Sequence, residues 1–218
     1  LADKPLAVGG SAERRGVIAT CNYEARAYGV RSAMPSRQAL QLCPDWLIVK
    51  PRMDAYKAVS QEIHGIFRDY TDLIEPLSLD EAYLDVSACS HFAGSATRIA
   101  DAIRRRVARE LRITVSAGVA PNKFLAKIAS DWQKPNGLFV ITPAQVDEFV
   151  LALPVAKLHG VGKVTGQRLG RMGIQTCAQL REWSKPALAR EFGSFGERLW
   201  SLARGIDERA VQVSRRRQ

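Results

Sequence analysis

Apolar residues recur every three or four positions in four parts of the chain, which is the spacing of amphipathic helices. The predicted helices cover residues 54–70, 95–112, 121–134 and 142–151. Ser95 and Thr142 are placed to cap the second and the fourth, and Lys134-Pro135-Asn136-Gly137 is a stop signal for the third. In the second helix the pattern predicts that Arg104 and the neighbouring arginines face largely outward.

Short apolar runs bounded by turn residues predict strands at residues 5–8, 16–20, 113–120 and 138–141. A further run, Ile74 to Val86, predicts a strand-like hairpin. Strands and helices interleave up to about Leu151, and beyond Pro154 only short helices remain. The pattern therefore predicts an α+β domain followed by a small all-α domain, with the boundary between Leu151 and Pro154.

Charge changes at the same place. Residues 1–150 carry 19 Lys and Arg against 17 Asp and Glu, whereas residues 151–218 carry 13 against 5, so most of the net charge of +10 lies in the last third. A compact basic segment on a nearly neutral domain is typical of a protein that binds a polyanion, most often nucleic acid. A basic surface without a partner is the alternative, and charge alone does not exclude it.

The predicted hairpin carries two adjacent carboxylates, Asp80 and Glu81, at its bend. Asp and Glu are hard oxygen ligands, and Mg²⁺ is usually held by one or two of them together with substrate phosphates and water. Such a site would allow metal-assisted phosphoryl transfer. Asp is also common in turns for purely structural reasons, so the hairpin taken alone favours a structural interpretation.

A second motif begins the basic third of the chain. The run Leu158 to Val164 contains Gly160 and Gly162 before a predicted helix, which fits a helix-hairpin-helix turn. Glycines let the backbone approach a phosphate, and the N-terminus of a helix offers unpaired N–H groups. Tight packing between helices would also explain the glycines. The basic neighbours favour phosphate binding, and the candidate DNA-binding residues are Lys157, Gly160, Val161, Gly162 and Lys163.

Thr20, Tyr23 and Arg26 bring a hydroxyl, a phenol and a guanidinium together within a few residues. Arg suits bidentate phosphate recognition, and Tyr can hydrogen-bond a phosphate while stacking on a sugar or base. Taken alone, Tyr23 is also typical of a half-buried structural aromatic. Lys134 is similarly ambiguous, because a cation is favoured at a helix C-terminus by the helix dipole.

Other classes of protein are disfavoured by what the sequence lacks. It has no apolar run long enough to cross a bilayer, no signal peptide and no Gly-rich phosphate loop of the P-loop type. The four cysteines are scattered without metal-ligand spacing, so we expect reduced, mostly buried thiols in a cytoplasmic protein. These cysteines are Cys21, Cys43, Cys89 and Cys177.

The order of the motifs along the chain closely resembles the Y-family translesion DNA polymerases. The resemblance rests on these runs: Asn22-Tyr23-Glu24-Ala25-Arg26, Gly29 to Pro35, Ser78 to Asp85, Lys123 to Asp131, Lys134-Pro135-Asn136-Gly137 and Gly160-Val161-Gly162-Lys163. It implies a ferredoxin-like palm with a fingers insertion, followed by a helical thumb that carries the helix-hairpin-helix. Mapped onto this chain, the palm and fingers are expected at residues 1–152, with the fingers at about 9–53. The thumb is expected at 153–213, and a linker begins at 214–218.

The resemblance also implies roles for the candidate residues. Asp80 and Glu81 would be catalytic metal ligands for two Mg²⁺ ions. The nucleotide triphosphate would be bound by Thr20, Tyr23, Arg26 and Lys134. The expected reaction is template-directed deoxynucleotidyl transfer to a primer 3′ hydroxyl, and the expected partners are primer-template DNA, deoxynucleoside triphosphates and, by family resemblance only, a sliding clamp. A monomer is expected, with no membrane association.

Both ends of the sequence depart from the family pattern. The family begins with a strand that bears a further metal-binding Asp and continues into a little-finger domain, and neither is matched here; Asp3 does not correspond to that Asp. We therefore expect the chain as given to be inactive or nearly so. The alternative is a non-catalytic DNA-binding fragment that uses the basic helix-hairpin-helix segment.

Overall fold

The protein divides into two compact units, Leu1–Ala58 and Val59–Gln218. The computed structural model describes residues 4–213. Each unit contains both strands and helices, and the helices after residue 152 are joined without strands. The predicted α+β class with an all-α C-terminal part is therefore confirmed.

The first unit is built on a three-stranded sheet in the order β2-β1-β3. Strand β1 (Leu6–Gly9) pairs antiparallel with β2 (Ile18–Cys21) and parallel with β3 (Leu47–Val49). Helices α1 (Tyr23–Ala27) and α2 (Ser36–Leu42) complete it. The apolar residues that the strands and helices turn inward form a separate core: Ala7, Ile18, Cys21, Ala25, Val30, Ala39, Cys43 and Trp46.

Asn22 organises this unit locally. Its Oδ1 atom accepts hydrogen bonds from the backbone N–H of Ala25 at 3.1 Å and from that of Leu6 at 2.9 Å. The first bond caps α1, and the second fixes the start of β1 beside the end of β2. The short helix that carries Tyr23 and Arg26 is thus held directly against the sheet.

The second unit begins within α3 (Met53–Arg68), which crosses the boundary between the units. Its strands form two separate pairs within the described residues, with β4 antiparallel to β5 and β6 parallel to β7. Its elements after α3 are, in chain order, β4 (Ile74–Pro76), β5 (Ala82–Leu84), α4 (Ala96–Leu111), β6 (Ala117–Val119), α5 (Lys123–Trp132), β7 (Leu138–Val140), α6 (Val146–Ala152), α7 (Lys163–Arg171), α8 (Cys177–Arg181), α9 (Lys185–Phe192) and α10 (Ser194–Leu202).

Most predicted elements are present, and their ends differ for identifiable reasons. Helix α5 begins at Lys123 rather than at Pro121, because the side chain of Asn122 accepts a hydrogen bond from Leu125 N–H and acts as the N-cap. Ser95 caps α4 as predicted. Thr142 precedes a 3₁₀ turn, Pro143–Gln145, before α6 starts at Val146.

The strand predicted at residues 113–120 is limited to Ala117–Val119. Its first half instead supports a loop, because Val115 O accepts a hydrogen bond from Arg104 and Ser116 Oγ accepts one from Gly137 N–H. Arg104 also donates to the backbone and side chain of Asn136. The prediction that Arg104 faces largely outward is therefore wrong: its side chain is 15% exposed and holds this loop.

Strand β6 lies unusually close to α5. A Cβ atom on Gly118 would come within 2.2 Å of Ala126 O and 2.3 Å of Ser130 N, so only glycine fits at this point of the strand. Helix α5 in turn buries Phe124, Leu125 and Ile128 in a core that continues into the C-terminal helices through residues such as Leu169 and Leu199. One hydrophobic core therefore joins α5 to α7 and α10.

Two further expectations can be checked within the described residues. All four cysteines are free thiols, and Cys21, Cys43 and Cys177 are buried, as predicted. Burial raises the pKa of the Cys177 thiol to about 11, which keeps it protonated and unreactive. None of the described helices is long and apolar enough to cross a bilayer.

Candidate functional site

The predicted carboxylate hairpin is present, and its bend is fixed by its own hydrogen bonds. Strands β4 and β5 pair Glu75 with Tyr83. At the bend, Glu81 O accepts from the N–H groups of Leu77 at 2.8 Å and Ser78 at 3.3 Å. Ser78 Oγ donates to Asp80 Oδ1 at 2.5 Å. Asp80 and Glu81 therefore sit side by side on an ordered turn, with the Asp80 residue exposed.

Helix α5 presents two lysines, one turn apart, to this hairpin. Lys123 Nζ lies 2.5 Å from Glu75 Oε2 in a pair whose side chains are 9% and 3% exposed. Lys127 Nζ pairs with Glu81 Oε1, and both of those side chains are more exposed. Because residues four apart lie on the same helix face, one lysine meets the base of the hairpin and the other meets its bend.

The donor chemistry of the bend fits a hard divalent cation. Asp80 and Glu81 offer carboxylate oxygens at an accessible position, and Mg²⁺ commonly takes one or two protein carboxylates and completes its shell with substrate oxygens and water. Within residues 4–213, no cluster of three or more His, Cys, Asp or Glu side chains is arranged to hold a metal ion. The hairpin thus supplies a partial ligand set, of the kind that substrate phosphates complete.

Residues 205–213, which we call the strap, run from the end of the last helix past the start of α5 and the base of the hairpin. Asn122 Nδ2 donates to Gly205 O at 2.8 Å, and Asp207 Oδ2 accepts from Phe124 N–H at 3.0 Å. Lys123 Nζ donates to Ala210 O at 2.9 Å. The strap is therefore hydrogen-bonded to the N-terminus of α5 at Gly205, Asp207 and Ala210.

The glycine turn lies between a 3₁₀ turn, Val155–Lys157, and α7. Leu158 is buried and Val161 packs against the core, so the turn is anchored from inside. Gly160 has a positive φ of 94°, and a Cβ atom there would come within 2.7 Å of the Phe195 ring. The fold therefore requires glycine at position 160.

Gly162 differs from Gly160. It is the N-cap of α7, its φ of −82° suits any residue, and a Cβ atom there would meet no atom of residues 4–213 within 4 Å. No side chain caps this helix end. Lys157 and Lys163 are exposed on either side of the turn. The turn thus presents a helix N-terminus, two lysines and a position kept free of side-chain bulk.

His159 lies among cations of the same unit. Burial lowers its pKa below the usual range, and the charges of Arg198, Arg209 and Lys127 lower it further. A neutral imidazole is therefore favoured there at pH 7.

The first unit carries three of the predicted nucleotide-binding residues. Thr20 lies within β2 and is exposed, and Tyr23 is 52% exposed on α1. The Arg26 guanidinium lies 5.9 Å from the Tyr23 ring centre and donates from Nε to Cys21 O at 3.2 Å. Tyr23 and Arg26 are therefore brought together, and with about half of its surface exposed Tyr23 remains open to both interpretations.

Lys134 follows the end of α5 in the second unit. Its Nζ lies 2.6 Å from Asp131 Oδ1, and both side chains are about half exposed. The Lys134–Pro135 peptide bond is cis. The ion pair fits the structural interpretation of this lysine, and its exposure leaves the ammonium group accessible from solvent.

Three charged residues that form ion pairs between the hairpin and α5 were given no role in the sequence analysis: Glu75, Lys123 and Lys127. One signal was available, because Glu75 is a charged residue within an otherwise apolar strand and the lysines stand four apart on a predicted helix. The strap offered no such signal, since its partners are far away in sequence.

The fold and this site define a class of protein. The family model described as "impB/mucB/samB family" matches residues 1–131, and the model described as "DNA polymerase-iota, thumb domain" matches residues 156–207. The chain therefore belongs to the impB/mucB/samB family, and the resemblance to the Y-family DNA polymerases is confirmed.

Curated relatives and solved structures agree with this assignment. DNA polymerase IV of Ectopseudomonas mendocina (strain ymp) is 80% identical over all 218 residues, and that of Pseudomonas aeruginosa (strain UCBPP-PA14) is 78% identical. The chain spans 62% of the length of each. A crystal structure of DinB from Sulfolobus solfataricus is 36% identical with a TM-score of 0.88, over 96% of this chain and 62% of that one. A structure described as an insertion ternary complex of Dbh DNA polymerase aligns equally well, with the same identity, TM-score and coverage.

Proposed function

We propose that this chain carries the palm, fingers and thumb of a template-directed DNA polymerase of the translesion class. The reaction is transfer of a deoxynucleotidyl group from a deoxynucleoside triphosphate to a primer 3′ hydroxyl. The observation that carries the proposal is the accessible Asp80–Glu81 pair on an ordered hairpin bend, within a chain that matches the impB/mucB/samB family model and a DNA polymerase thumb-domain model.

In this proposal Asp80 and Glu81 would hold divalent metal, specifically two Mg²⁺ ions. When bound, the metal supplies activation of the primer hydroxyl and charge neutralisation on the leaving pyrophosphate. The Ser78 hydroxyl, which donates to Asp80 Oδ1, orients that carboxylate. Lys127 balances the charge of Glu81 when no other cation is present.

Tyr23, Arg26, Thr20 and Lys134 are proposed to bind the triphosphate. Arg26 is oriented by its bond to Cys21 O, which leaves the rest of its planar donor group for phosphate oxygens. The Tyr23 hydroxyl and the Thr20 hydroxyl add neutral donors, and Lys134 adds a point charge. Phosphoryl transfer depends mainly on positioning and on charge stabilisation. In this proposal the four side chains supply both.

The glycine turn is proposed to bind DNA backbone. The N-terminus of α7 offers N–H groups that no side chain caps, and Lys157, Val161 and Lys163 flank the two glycines. Contacts of this kind hold phosphate without reading sequence, as a polymerase requires.

Mg²⁺-dependent nucleotide binding tests the catalytic part of the proposal. Binding of a fluorescent, non-hydrolysable deoxynucleoside triphosphate is measured while Mg²⁺ is raised. Asp80→Asn should weaken the Mg²⁺-dependent affinity by more than about ten-fold, since even groups that only orient a metal ligand are worth about that much. Asp72→Asn is the control, because Asp72 is an exposed carboxylate just before the same hairpin.

The alternative function, a DNA-binding module without catalysis, gives a different result. In that case nucleotide binding does not respond to Mg²⁺, and Asp80→Asn behaves like Asp72→Asn while DNA binding persists. Equal loss of binding in both variants would point to net charge rather than to ligation, and would also contradict the proposal.

Gly162→Ala tests the DNA contact. The added methyl group meets no atom in the part of the chain that the structure describes, so the free energy of unfolding should stay within about 1 kcal/mol of the parent. Affinity for duplex DNA should fall several-fold, because the methyl group blocks the close approach of a phosphate. Gly170→Ala, at another open glycine position of α7, is the control. Unchanged DNA affinity in Gly162→Ala would remove this turn from the interface.

The remaining expectations stay predictions. They are binding of a sliding clamp, a monomeric state, a cytoplasmic location, the domain limits at residues 152 and 213, and inactivity of the chain as given.

A further inference from the structure

The strongest unexplained feature outside the proposed ligands is a buried ion pair at the base of the hairpin. Glu75 and Lys123 are both almost fully buried, and their charged atoms lie 2.5 Å apart. Burying two charges is costly unless their remaining hydrogen-bonding capacity is used. Much of that capacity here is used by the strap.

The strap closes a ring of polar contacts around this pair. Glu75 Oε2 accepts from Lys123 and also from Gln212 N–H at 2.9 Å. Lys123 Nζ donates in addition to Ala210 O at 2.9 Å. The strap thus supplies an acceptor for the cation and a donor for the anion, only two residues apart.

The same ion pair is joined to the strand that leads away from the carboxylates. Glu75 pairs with Tyr83 across the hairpin, and Lys123 Nζ lies 5.3 Å from the centre of the Tyr83 ring. Tyr83 follows Glu81 by two residues. Any shift of the Glu75–Lys123 pair is therefore transmitted to both strands on which the bend is built.

We infer that Glu75 and Lys123 are positioning residues through which the strap fixes the hairpin that carries Asp80 and Glu81. The inference rests on the proposed function for what the fixed carboxylates do. Neither residue contacts a substrate in this scheme: Glu75 and Lys123 act through the hairpin backbone. Their effect is to hold the two carboxylates in one arrangement before metal and nucleotide bind.

A purely structural role for the pair makes a different prediction. If Glu75 and Lys123 only stabilise the core, loosening the strap should lower stability without selective change at the bend. If the strap positions the bend, loosening it should mobilise the amides that form the bend while the core amides remain protected.

Gln212→Pro separates the two roles. Proline removes the N–H group that binds Glu75 Oε2 and leaves both charged side chains in place. Val213→Pro is the matched control, because the Val213 N–H makes no hydrogen bond within the described residues. Glu75→Gln is measured alongside, since it keeps the shape of the side chain and removes its charge.

Amide hydrogen exchange, followed residue by residue by NMR, is the first measurement. In Gln212→Pro and Glu75→Gln the amides of Leu77 and Ser78 should exchange about ten-fold faster, the change expected from losing a hydrogen bond to a charged group. Core amides such as Leu169 should keep their rates, and Val213→Pro should match the parent. Faster exchange confined to the strap would overturn the inference.

The second measurement is Mg²⁺-dependent nucleotide binding by the same variants. The inference expects Gln212→Pro and Glu75→Gln to require several-fold more Mg²⁺, and Val213→Pro to require no more than the parent. Parent-like Mg²⁺ dependence in Gln212→Pro would show that the strap does not position the carboxylates. Should the parent itself show no Mg²⁺-dependent binding, the proposed function fails, and hydrogen exchange still decides whether the strap fixes the hairpin.

Discussion

The two glutamates of the hairpin differ in burial. This difference separates a carboxylate that must stay paired within the fold from one that can exchange its partner for a metal ion. Glu75 and Glu81 each pair with a lysine of α5. Glu75 is almost fully buried, so its charge must stay paired, and removing its partner is costly. Glu81 is 40% exposed at its side chain, so solvent or a metal ion can replace its lysine at little cost.

Lys127→Met tests this exchangeable pair. Removing the ammonium group frees Glu81, so affinity for Mg²⁺ should rise about two- to five-fold, the worth of an exposed ion pair. Titration calorimetry with Mg²⁺ measures the change. Lys185→Met, which breaks an exposed pair with Glu197 on the C-terminal helices, should leave Mg²⁺ affinity unchanged. Unchanged or weaker binding in Lys127→Met would show that Lys127 does not compete for Glu81.

At this scale, the sequence predicted the residues whose roles follow from local chemistry. Asp80 and Glu81 stand at a bend that short-range turn signals define. Glu75 and Lys123 were not predicted as a pair, because 48 residues separate them and no local pattern encodes which buried charges meet. Pairing of that kind is set by the packing of α5 on the hairpin.

Among the elements, α5 has the most connections that bear on the site. Its N-terminus is capped by Asn122, the N–H group of Phe124 donates to Asp207, and one face of the helix carries Lys123 and Lys127. Negative charge at a helix N-terminus is stabilising. Although burial acts to raise it, the pKa of Asp207 is lowered by Arg209 and by the N–H groups that its carboxylate accepts.

Asp207→Asn should therefore destabilise the protein in a pH-dependent way. Because the folded-state pKa of Asp207 lies below the ordinary value of 3.8, its stabilisation is fully present above that value and is lost as pH falls through the folded pKa. Urea unfolding should show a loss of about 1.5–3 kcal/mol for Asp207→Asn near neutral pH, the worth of hydrogen bonds to a charged group.

The same loss should shrink towards zero as the pH is lowered past the folded pKa of Asp207. Glu208→Gln, at the exposed neighbouring residue, is the control and should change little at any pH. A difference between parent and Asp207→Asn that does not depend on pH would indicate lost packing rather than lost charge.

Among the elements, helices with a regular spacing of apolar residues were predicted more accurately than strands. Helix α4 begins one residue after its predicted cap, because amphipathic spacing and Ser95 act within one turn. The predicted strand at residues 113–120 is mostly a loop, since its pairing depends on Arg104 and Gly137, which lie elsewhere in the sequence. Apolar runs show that a segment is buried without showing what it pairs with.

For the whole molecule, the uneven distribution of charge agrees with the position of the glycine turn. The basic last third of the sequence includes exposed Lys157 and Lys163 beside a helix N-terminus. The charge count alone left two interpretations open, a partner or merely a basic surface. The open position at Gly162 favours a partner, because packing within the protein gives no reason for glycine there.

Salt dependence measures how many phosphates this surface engages. The logarithm of the affinity for duplex DNA should fall linearly with the logarithm of the salt concentration, and Lys163→Gln should reduce the slope by about 0.9. Lys185→Gln, at the start of α9 and paired with Glu197, should leave the slope nearly unchanged. An unchanged slope in Lys163→Gln would mean that this lysine does not contact phosphate.

The bond between Glu75 and Gln212 spans 137 positions of the chain. During synthesis from the N-terminus, the hairpin and α5 therefore leave the ribosome long before the residues that complete their polar ring. Until then the Glu75–Lys123 pair lacks its contacts with Gln212 N–H and Ala210 O, so closing the structure around the pair must wait for the end of the second unit. Long-range contacts of this kind slow folding, because the entropy of closing a large loop is lost before the contact is gained. The carboxylates that we assign to catalysis would accordingly be among the last parts of this unit to reach their final arrangement.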